Sequence, residues 1–254
     1  MYKNVLSINI TCKPYRQFVD HLKQLALMKQ PAYVCVANVH MTIEAHNDPS
    51  FAAMVNGADA VTPDGMPLVA ALQLLYGVTQ ERVTGMDLLP DLLTVAENEK
   101  FTVFFYGGTN AMLQATDQYL LANYPDLAQK HYFSPPFRTL AALEVDEDVV
   151  RINSTGANLV FVALGCPKQE KWMASMKGRI NACMIGIGGA LPVMIGMQKR
   201  APEWMQKSGL EWLYRLAQEP RRLFKRYAVT NTVFVWLLFK AWAKQGFRSY
   251  PLQA

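Results

Sequence analysis

The feature that most restricts the fold of this chain is a regular alternation of short apolar runs with longer helical patterns. The predicted strands are Val5–Ile10, Tyr33–Ala37, Ala60–Thr62, Thr102–Tyr106, His131–Phe133, Leu159–Leu164 and Ala182–Ile187. The predicted helices lie near residues 14–29, 48–57, 65–76, 86–98, 109–123, 143–154 and 167–177. Buried strands that alternate with helices are typical of βαβ units. We therefore predict an α/β fold, with a Rossmann-like, mostly parallel sheet and helices on both faces.

Charge divides the chain near residue 196. Residues 196–254 contain 11 Lys and Arg against 3 Glu, a net charge of +8, whereas the whole chain carries +5. We accordingly divide the chain into an α/β catalytic core, 1–195, and a basic, amphipathic helical appendage, 196–254. Pro202 and Pro220 lie where the first turn of a helix accepts proline. A cationic segment of this kind predicts an anionic partner.

Composition indicates which class of partner to expect. The chain is 51% hydrophobic and 18% charged, more apolar than an average soluble domain, which favours contact with lipid or with another subunit. The apolar run Val233–Phe239 is far shorter than the roughly 18 residues of a spanning helix, so we predict that the appendage lies on an anionic membrane surface. Because no nucleic-acid-binding motif accompanies the charge, nucleic acid is not expected. Exposed aromatic residues of the appendage favour a homo-oligomer when no membrane is present.

Glycine-rich loops follow several predicted strands, at the edge where sheets of this type bind ligands. Gly107 and Gly108 come after a strand and before a helix, an arrangement that lets a phosphate approach free backbone N–H groups. The segment 186–189, which includes Gly188, has the same pattern. A tight turn between strand and helix would explain these glycines equally well. Neither segment completes a G-x-G-x-x-G fingerprint, and the chain has no P-loop.

Two carboxylates also follow predicted strands or turns. Asp64 comes directly after a strand, and the adjacent Gly65 leaves room for a ligand, so Asp64 is well placed to abstract a proton. The alternative is that Asp64 caps the next helix. Asp87 also has two interpretations: it caps a helix, or it orients Arg82. The acidic run at 146–148 is expected to be a solvated face.

Two further segments offer charged groups. In GCPKQEKW, Lys168, Gln169 and Glu170 present a cation, an amide and a carboxylate at a strand end, while Cys166 is expected to be a small buried residue and not a nucleophile. The appendage arginines expected to meet an anion are Arg215, Arg222 and Arg226. Arginine beside Trp and Leu suits an anionic lipid surface, and it also binds a diphosphate through two hydrogen bonds. A solvated charged face over a packed helix is the alternative.

Taken in order, the segments form a recognisable set. They are Asn38, ADAVTPDG, ERVTGMDL, the Gly-Gly pair, GCPKQEKW, GIGGA and KRAPEWMQKSGLEWLYRLAQEPRRLFKRY. Over roughly residues 5–230 this set resembles the WecG/TagA/CpsF family of bacterial glycosyltransferases, glycosyltransferase family 26. The segments GCPKQEKW and KRAPEWMQKSGLEWLYRLAQEPRRLFKRY together carry most of the specificity of this resemblance.

The resemblance implies a peripheral (monotopic) enzyme on the cytoplasmic face of the inner membrane. Such enzymes transfer a sugar from a UDP-sugar to a polyprenyl-diphosphate-linked acceptor in exopolysaccharide and cell-envelope synthesis, with inversion and with no metal or other cofactor. The family's proposed base falls on Asp64, and we expect Asn38 and Arg82 in the same pocket. The predicted substrate-binding residues are Gly65, Asp87, Gly107, Gly108, Lys168, Gln169, Gly188, Arg215, Arg222 and Arg226.

The chain departs from the family pattern in two places. The family's early Thr-x-Asn block falls on Val36-Ala37-Asn38, so a role for the Thr hydroxyl is not carried over. Where many members have Phe-Asp, this chain has Leu191-Pro192, which bears on the donor sugar. UDP-N-acetylmannosamine or its uronate is the expected donor, and UDP-glucose is the alternative. Alternatives from other classes are an NAD-binding oxidoreductase and a non-catalytic membrane scaffold.

Overall fold

The computed structural model describes residues 1–136 and 146–246. The strands are β1 (Tyr2–Val5), β2 (Ile8–Thr11), β3 (Ala32–Ala37), β4 (Ala60–Pro63), β5 (Thr102–Gly107), β6 (Gln129–Phe133), β7 (Leu159–Ala163) and β8 (Cys183–Gly186). The helices are α1 (Tyr15–Leu27), α2 (Val39–Asn47), α3 (Pro49–Asn56), α4 (Met66–Tyr76), α5 (Gly85–Asn98), α6 (Asn110–Asn123), α7 (Asp146–Ser154), α8 (Lys168–Met176), α9 (Ala190–Met194), α10 (Glu203–Lys207), α11 (Glu211–Gln218) and α12 (Pro220–Lys244).

Six of the strands form one parallel sheet in the order β4-β3-β8-β7-β5-β6. All six residues of β3 are buried, as expected for a parallel strand with helices over both faces. Successive side chains of β5 point to opposite faces: Phe104 belongs to one apolar core and Phe105 to the other. The predicted α/β fold with helices on both faces is confirmed.

The appendage shares one of these two cores. Phe234 of α12 is 3% exposed and packs in the same cluster as Met41 of α2 and Leu68 of α4. α12 therefore lies along α2 and α4 and is not a detached arm. Within residues 1–136 and 146–246, no helix combines the length and the hydropathy needed to cross a membrane. The division of the chain at residue 196 and the membrane-facing orientation of the appendage stay predictions.

Two sequence-based predictions of local structure are wrong. Val5–Ile10 is not one strand, because Leu6 adopts a left-handed backbone (φ 61°) and turns the chain into the antiparallel hairpin β1-β2, outside the main sheet. The set of predicted helices is also incomplete, because it lacks α2, which begins directly after β3. Asn38 is the N-cap of α2, and its Oδ1 accepts a hydrogen bond from the Met41 N–H at 3.1 Å.

The acidic run at the start of α7 is solvated only in part. Asp146 is exposed, but Asp148 is 5% exposed and accepts a hydrogen bond from the Tyr106 hydroxyl at 2.6 Å. The prediction of a solvated face is therefore wrong for Asp148, since the carboxylate provides the partner that the buried hydroxyl needs. The predicted start of this helix, at residue 143, lies outside the described residues.

Candidate active site

Asp64 lies where β4 ends and faces the end of β3. Its backbone N–H donates to the Ala37 carbonyl at 2.7 Å, which places Asp64 beside Asn38. The N-cap of α4 is Gly65, with φ 111°, and no side chain of the described chain caps this helix. The alternative that Asp64 is a helix cap is therefore wrong. Its carboxylate is not used by the backbone of α4, and Gly65 provides a conformation that other residues rarely adopt.

The surroundings of Asp64 make it an unusually basic carboxylate. The side chain is partly exposed, but the protein around it displaces enough water for burial to raise its pKa from 3.8 to about 7. The negative charge of Glu211 raises the pKa further, and Asp87 acts in the same direction. The positive charges of Arg215 and Arg82 oppose this rise. A carboxylate with a pKa near 7 can accept a proton at neutral pH.

Arg82, one of the predicted site residues, is held by the appendage. Its Nη1 donates to Glu211 Oε2 at 2.8 Å, and its Nη2 donates to Gln206 Oε1 at 3.2 Å. The guanidinium is 17% exposed. Arg82 therefore connects the pocket of Asp64 to α10 and α11.

Asp87 orients cations and is not the N-cap of its helix. The N-cap of α5 is Thr84, whose hydroxyl also donates to the Asp87 carboxylate at 2.9 Å. The same carboxylate forms a close ion pair with Arg200 and lies 3.8 Å from Arg82 Nη2. Of the two interpretations of Asp87, the structure favours the residue that orients Arg82.

Arg215 extends from the appendage to the glycine loop after β8. A Cβ atom added to Gly189 would lie 2.8 Å from Arg215 Nη2, so this guanidinium occupies space that only glycine leaves open. Because Arg215 also faces Asp64, one appendage arginine reaches two strand ends. The structure thus places Arg215, predicted to meet an anion, beside Asp64 and the loop after β8; its role in substrate binding stays a prediction.

The appendage is closed over this edge of the core. The cavity enclosed between the two parts measures about 10 Å³ and is lined by residues that include Met86, Arg200, Glu211 and Arg215; that is room for roughly one water molecule. On the other side of the ion pairs, Arg82, Asp87 and Arg200 line an open groove together with Tyr15. The charged network thus has an enclosed side and a side open to solvent.

Gln169 joins the loops that follow β7 and β8. It is 4% exposed, and its Oε1 accepts a hydrogen bond from the Gly165 N–H at 3.2 Å. Its Nε2 donates to Glu170 Oε1 at 2.7 Å, and a Cβ atom on Gly188 would lie 3.3 Å from Gln169 Oε1. The Gln169 side chain therefore packs directly against Gly188 and links the loop after β7 to the loop after β8. Lys168 is the first residue of α8, in the same loop region.

Gly107 and Gly108 lie farther along the sheet, since β3, β8 and β7 separate β5 from β4. Gly107 has φ 103°, and a Cβ atom there would lie 2.8 Å from the Ala163 carbonyl oxygen. Close packing against β7 is thus sufficient to explain Gly107. The Gly108 carbonyl accepts a hydrogen bond from Ser134 at 2.6 Å, and Thr109 caps α6.

The other two appendage arginines lie on α12, the helix after the one that carries Arg215. α11 ends at Gln218 and α12 begins at Pro220, so the helical register between Arg215 and Arg222 is interrupted. Arg222 is exposed and forms an ion pair with Glu219. Arg226 stacks over the Tyr227 ring and lies near His40, whose pKa is lowered by burial and then by this positive charge.

Sequence reasoning missed Glu211, Gln206 and Arg200, which complete the charged network around Arg82 and Asp87. The one available signal was that Glu211 is among only three Glu residues in a strongly basic segment. Cys166 is only partly buried, not fully buried as expected, but burial still raises the pKa of its thiol, which does not favour a nucleophile. Residues 1–136 and 146–246 contain no group of three or more His, Cys, Asp or Glu residues placed to hold a metal ion.

Comparison with known proteins places this site in a family. The model of the glycosyl transferase WecG/TagA/CpsF family matches residues 3–248. An N-acetylglucosaminyldiphosphoundecaprenol N-acetyl-beta-D-mannosaminyltransferase from Bacillus spizizenii is 31% identical over 85% of this chain and 83% of its own. Proteins of the same name from Bacillus subtilis (31% identical, covering 81% of this chain and 79% of the relative) and Staphylococcus aureus (26%, covering 94% and 92%) are also similar. The chain is therefore a glycosyltransferase that belongs to the WecG/TagA/CpsF family.

Proposed function

We propose that this glycosyltransferase is an inverting enzyme that uses a UDP-sugar donor and a polyprenyl-diphosphate-linked saccharide acceptor. The proposal is carried by Asp64, which lies at a strand end and does not cap a helix. Its carboxyl has a pKa of about 7, and the positive charges of Arg82 and Arg215 act on it. The names of the relatives support both substrates, since those proteins transfer N-acetylmannosamine to an N-acetylglucosaminyl diphosphate lipid. UDP-N-acetylmannosamine or its uronate is the proposed donor, and UDP-glucose is the alternative.

In the proposed reaction, Asp64 takes the proton from the acceptor hydroxyl as its oxygen attacks the anomeric carbon. The bond from that carbon to the UDP oxygen breaks on the opposite face, so the configuration inverts and UDP leaves with its electron pair. Arg215 and Arg82 provide positive charge beside Asp64, where it can stabilise the departing diphosphate. We propose that this charge takes the place of a metal ion, and that no other cofactor is needed.

The glycine loops are proposed to accept the donor. Gly188 and Gly189 follow β8 close to Arg215, and Gly65 and Asn38 border Asp64. Gly107, Gly108 and Lys168 lie at the same edge of the sheet, at the ends of β5 and β7. The donor is proposed to enter from the open groove lined by Arg82, Asp87 and Arg200, or after the appendage has moved.

The appendage is proposed to hold the enzyme on the cytoplasmic face of the membrane. α12 exposes Phe224, Val235, Trp236 and Phe239, each more than half exposed, and Lys240 stacks on Trp236 at 3.6 Å. Exposed aromatic residues beside cations suit the interface of an anionic bilayer. The cations proposed to meet lipid headgroups or the acceptor diphosphate include Arg222 and Arg226. Self-association through the same apolar residues in the absence of a membrane remains a prediction.

A pair of substitutions tests the membrane role. Trp236→Glu places a charge on the exposed face of α12, and we expect it to reduce flotation with phosphatidylglycerol vesicles by about tenfold. Leu121→Glu is the matched control, because Leu121 is similarly exposed (59% against 54%) but lies on α6 of the core. Equal loss of flotation in both variants, or in neither, would contradict a membrane-binding α12.

Activity is tested by replacing Asp64. With a lipid-diphosphate acceptor and the UDP-sugar that the enzyme uses, Asp64→Asn is expected to lower the rate by roughly 10²–10⁴-fold, the usual contribution of a general base. A folded Asp64→Asn enzyme that retains the wild-type rate would rule out the base assignment. The membership of a transferase family argues against the oxidoreductase and scaffold alternatives, and release of UDP in the same assay separates them from the proposal.

A further inference from the structure

One carboxylate beside Asp64 comes from the appendage and has no role in the proposed reaction. Glu211 is the first residue of α11, and its Oε2 accepts a hydrogen bond from Arg82 Nη1 at 2.8 Å. Gln206, from α10, accepts a second hydrogen bond from the same guanidinium at 3.2 Å. The Val83 N–H donates to the Pro63 carbonyl at 3.0 Å, which brings Arg82 next to Asp64. Two appendage side chains therefore fix the position of a core arginine beside Asp64.

The Arg82–Glu211 ion pair is well shielded from solvent. The two side chains are 17% and 18% exposed, so their attraction is screened less than that of a surface pair. A second ion pair, Arg200–Asp87, joins the segment before α10 to α5. Each pair joins an appendage residue to a core residue, so both form only when the appendage is seated on the core. Seating of the appendage therefore changes the charges around the site.

Asp64 is faced by charges from both parts of the chain. Arg82 and Asp87 come from the core, and Glu211 and Arg215 come from α11. Of these, Glu211 has the largest effect, and it opposes loss of the Asp64 proton, as a like charge must. If the appendage lifts away, Glu211 and Arg215 leave together, and their effects on Asp64 oppose each other. Water also reaches Asp64, and because burial is the largest cause of its raised pKa, this returns Asp64 toward an ordinary, weakly basic carboxylate.

We propose that Glu211 is a positioning residue for sugar transfer: its carboxylate fixes Arg82 at the strand end that carries Asp64, and it does so only when the appendage is seated. This inference rests on the proposed role of Asp64 as the base. It assigns to the appendage a part in the chemistry that is separate from binding lipid or diphosphate. No bond to Glu211 forms or breaks, and the proton still passes from the acceptor hydroxyl to Asp64.

The test is the pH dependence of kcat for the full chain carrying Glu211→Gln. Glutamine can still accept the Arg82 hydrogen bond but has no charge, so Asp64 is expected to lose its proton more easily. The acidic limb of the profile should move to lower pH by about one unit. The plateau rate should fall about threefold, because a weaker base removes the proton less readily, while KM stays within about twofold. Glu203→Gln is the matched control, since Glu203 lies on α10, is 78% exposed and pairs with Lys207; its profile should equal that of the wild type.

The profile also identifies which carboxyl is titrating. Burial raises the pKa of Glu170 to about 7 as well, but its neighbours are Gln169 and Cys166 and do not include Glu211. A shift caused by Glu211→Gln therefore belongs to Asp64. A purely structural role for Glu211 would lower the amount of folded enzyme without moving the acidic limb.

The outcomes separate this inference from the proposed function. An inactive Asp64→Asn variant together with an unmoved acidic limb in Glu211→Gln would overturn the role of Glu211 and leave Asp64 as the base. A rise in KM with an unmoved limb would also overturn it, by making Glu211 a substrate contact. An active Asp64→Asn variant would instead overturn the proposed function. If Glu211→Gln does not fold, the same profile is measured for Glu211→Asp, which keeps the charge. The acidic limb of its kcat profile is then expected at the wild-type pH, and a displaced acidic limb would refute the inference.

Discussion

Asp64→Asn is expected to stabilise the folded protein at alkaline pH while it removes activity. Burial raises the pKa of Asp64 from 3.8 to about 7, so the folded state holds this proton more tightly than the unfolded state. The folded state is therefore most favoured below pH 3.8, and this contribution is lost as the pH rises through 7. At 1.36 kcal/mol for each pH unit, the raised pKa of Asp64 costs the folded state about 4 kcal/mol at pH 8 and about 1.6 kcal/mol at pH 5, relative to acidic pH where both states hold the proton.

Asparagine has nearly the same shape and does not titrate, so it removes this cost. After allowance for the partial exposure of Asp64, the stabilisation by Asp64→Asn should be about 2 kcal/mol larger at pH 8 than at pH 5. For a chain of this length, that is a difference in Tm of about 6 °C. The assay is differential scanning fluorimetry of both proteins at both pH values, in which all other titrations cancel. An equal Tm difference at pH 5 and pH 8 would refute the account of a desolvated, basic Asp64.

Three further predictions test neighbouring features. Gly189→Ala should displace Arg215, whose Nη2 would lie 2.8 Å from the new Cβ. We expect about tenfold lower kcat/KM and a Tm near that of the wild type. An unchanged kcat/KM would contradict the placement of Arg215. Gly107→Ala should destabilise the protein by roughly 2–4 kcal/mol in urea unfolding, because the backbone has φ 103° and the Ala163 carbonyl, 2.8 Å from the new Cβ, has no room to move. Transfer measured in excess EDTA should equal transfer in Mg²⁺, and loss of activity in EDTA would contradict the arginine-based stabilisation of UDP.

Much of the core could be predicted from the sequence. The strands of the sheet are buried on both faces, so their apolar runs are nearly continuous and stand out from the longer helical segments between them. The first predicted strand was wrong because a hairpin alternates apolar residues as a single strand does, and only the left-handed backbone of Leu6 breaks it. The start of α2 was missed because Asn38 at a strand end looked like a loop residue when it is a helix cap.

The site residues could be predicted from several kinds of signal. Asp64 was found because it follows a strand end, where sheets of this type bind ligands. Asp87 was singled out as a cap or orienting residue, and Arg82 was expected in the pocket from the family resemblance. Arg215 was predicted from charge, and the structure places it with them. The partners of Arg82 could not be found in this way, since Glu211 and Gln206 are 129 and 124 residues away in the chain. They are brought there by tertiary packing, in which α10 contacts α11, α11 contacts α12, and α12 lies on α2 and α4. Sequence likewise could not show that Asp64 is free of a capping role, which depends on the backbone of Gly65.

The most direct test of the account is transfer itself. Purified protein would be incubated with a synthetic polyprenyl-diphosphate N-acetylglucosamine and a panel of UDP-sugars that includes UDP-N-acetylmannosamine, its uronate and UDP-glucose. The account predicts release of UDP and a lipid-linked disaccharide with inverted anomeric configuration, formed at least about 100-fold more slowly by Asp64→Asn. Absence of UDP release with every donor, or a product with retained configuration, would contradict it.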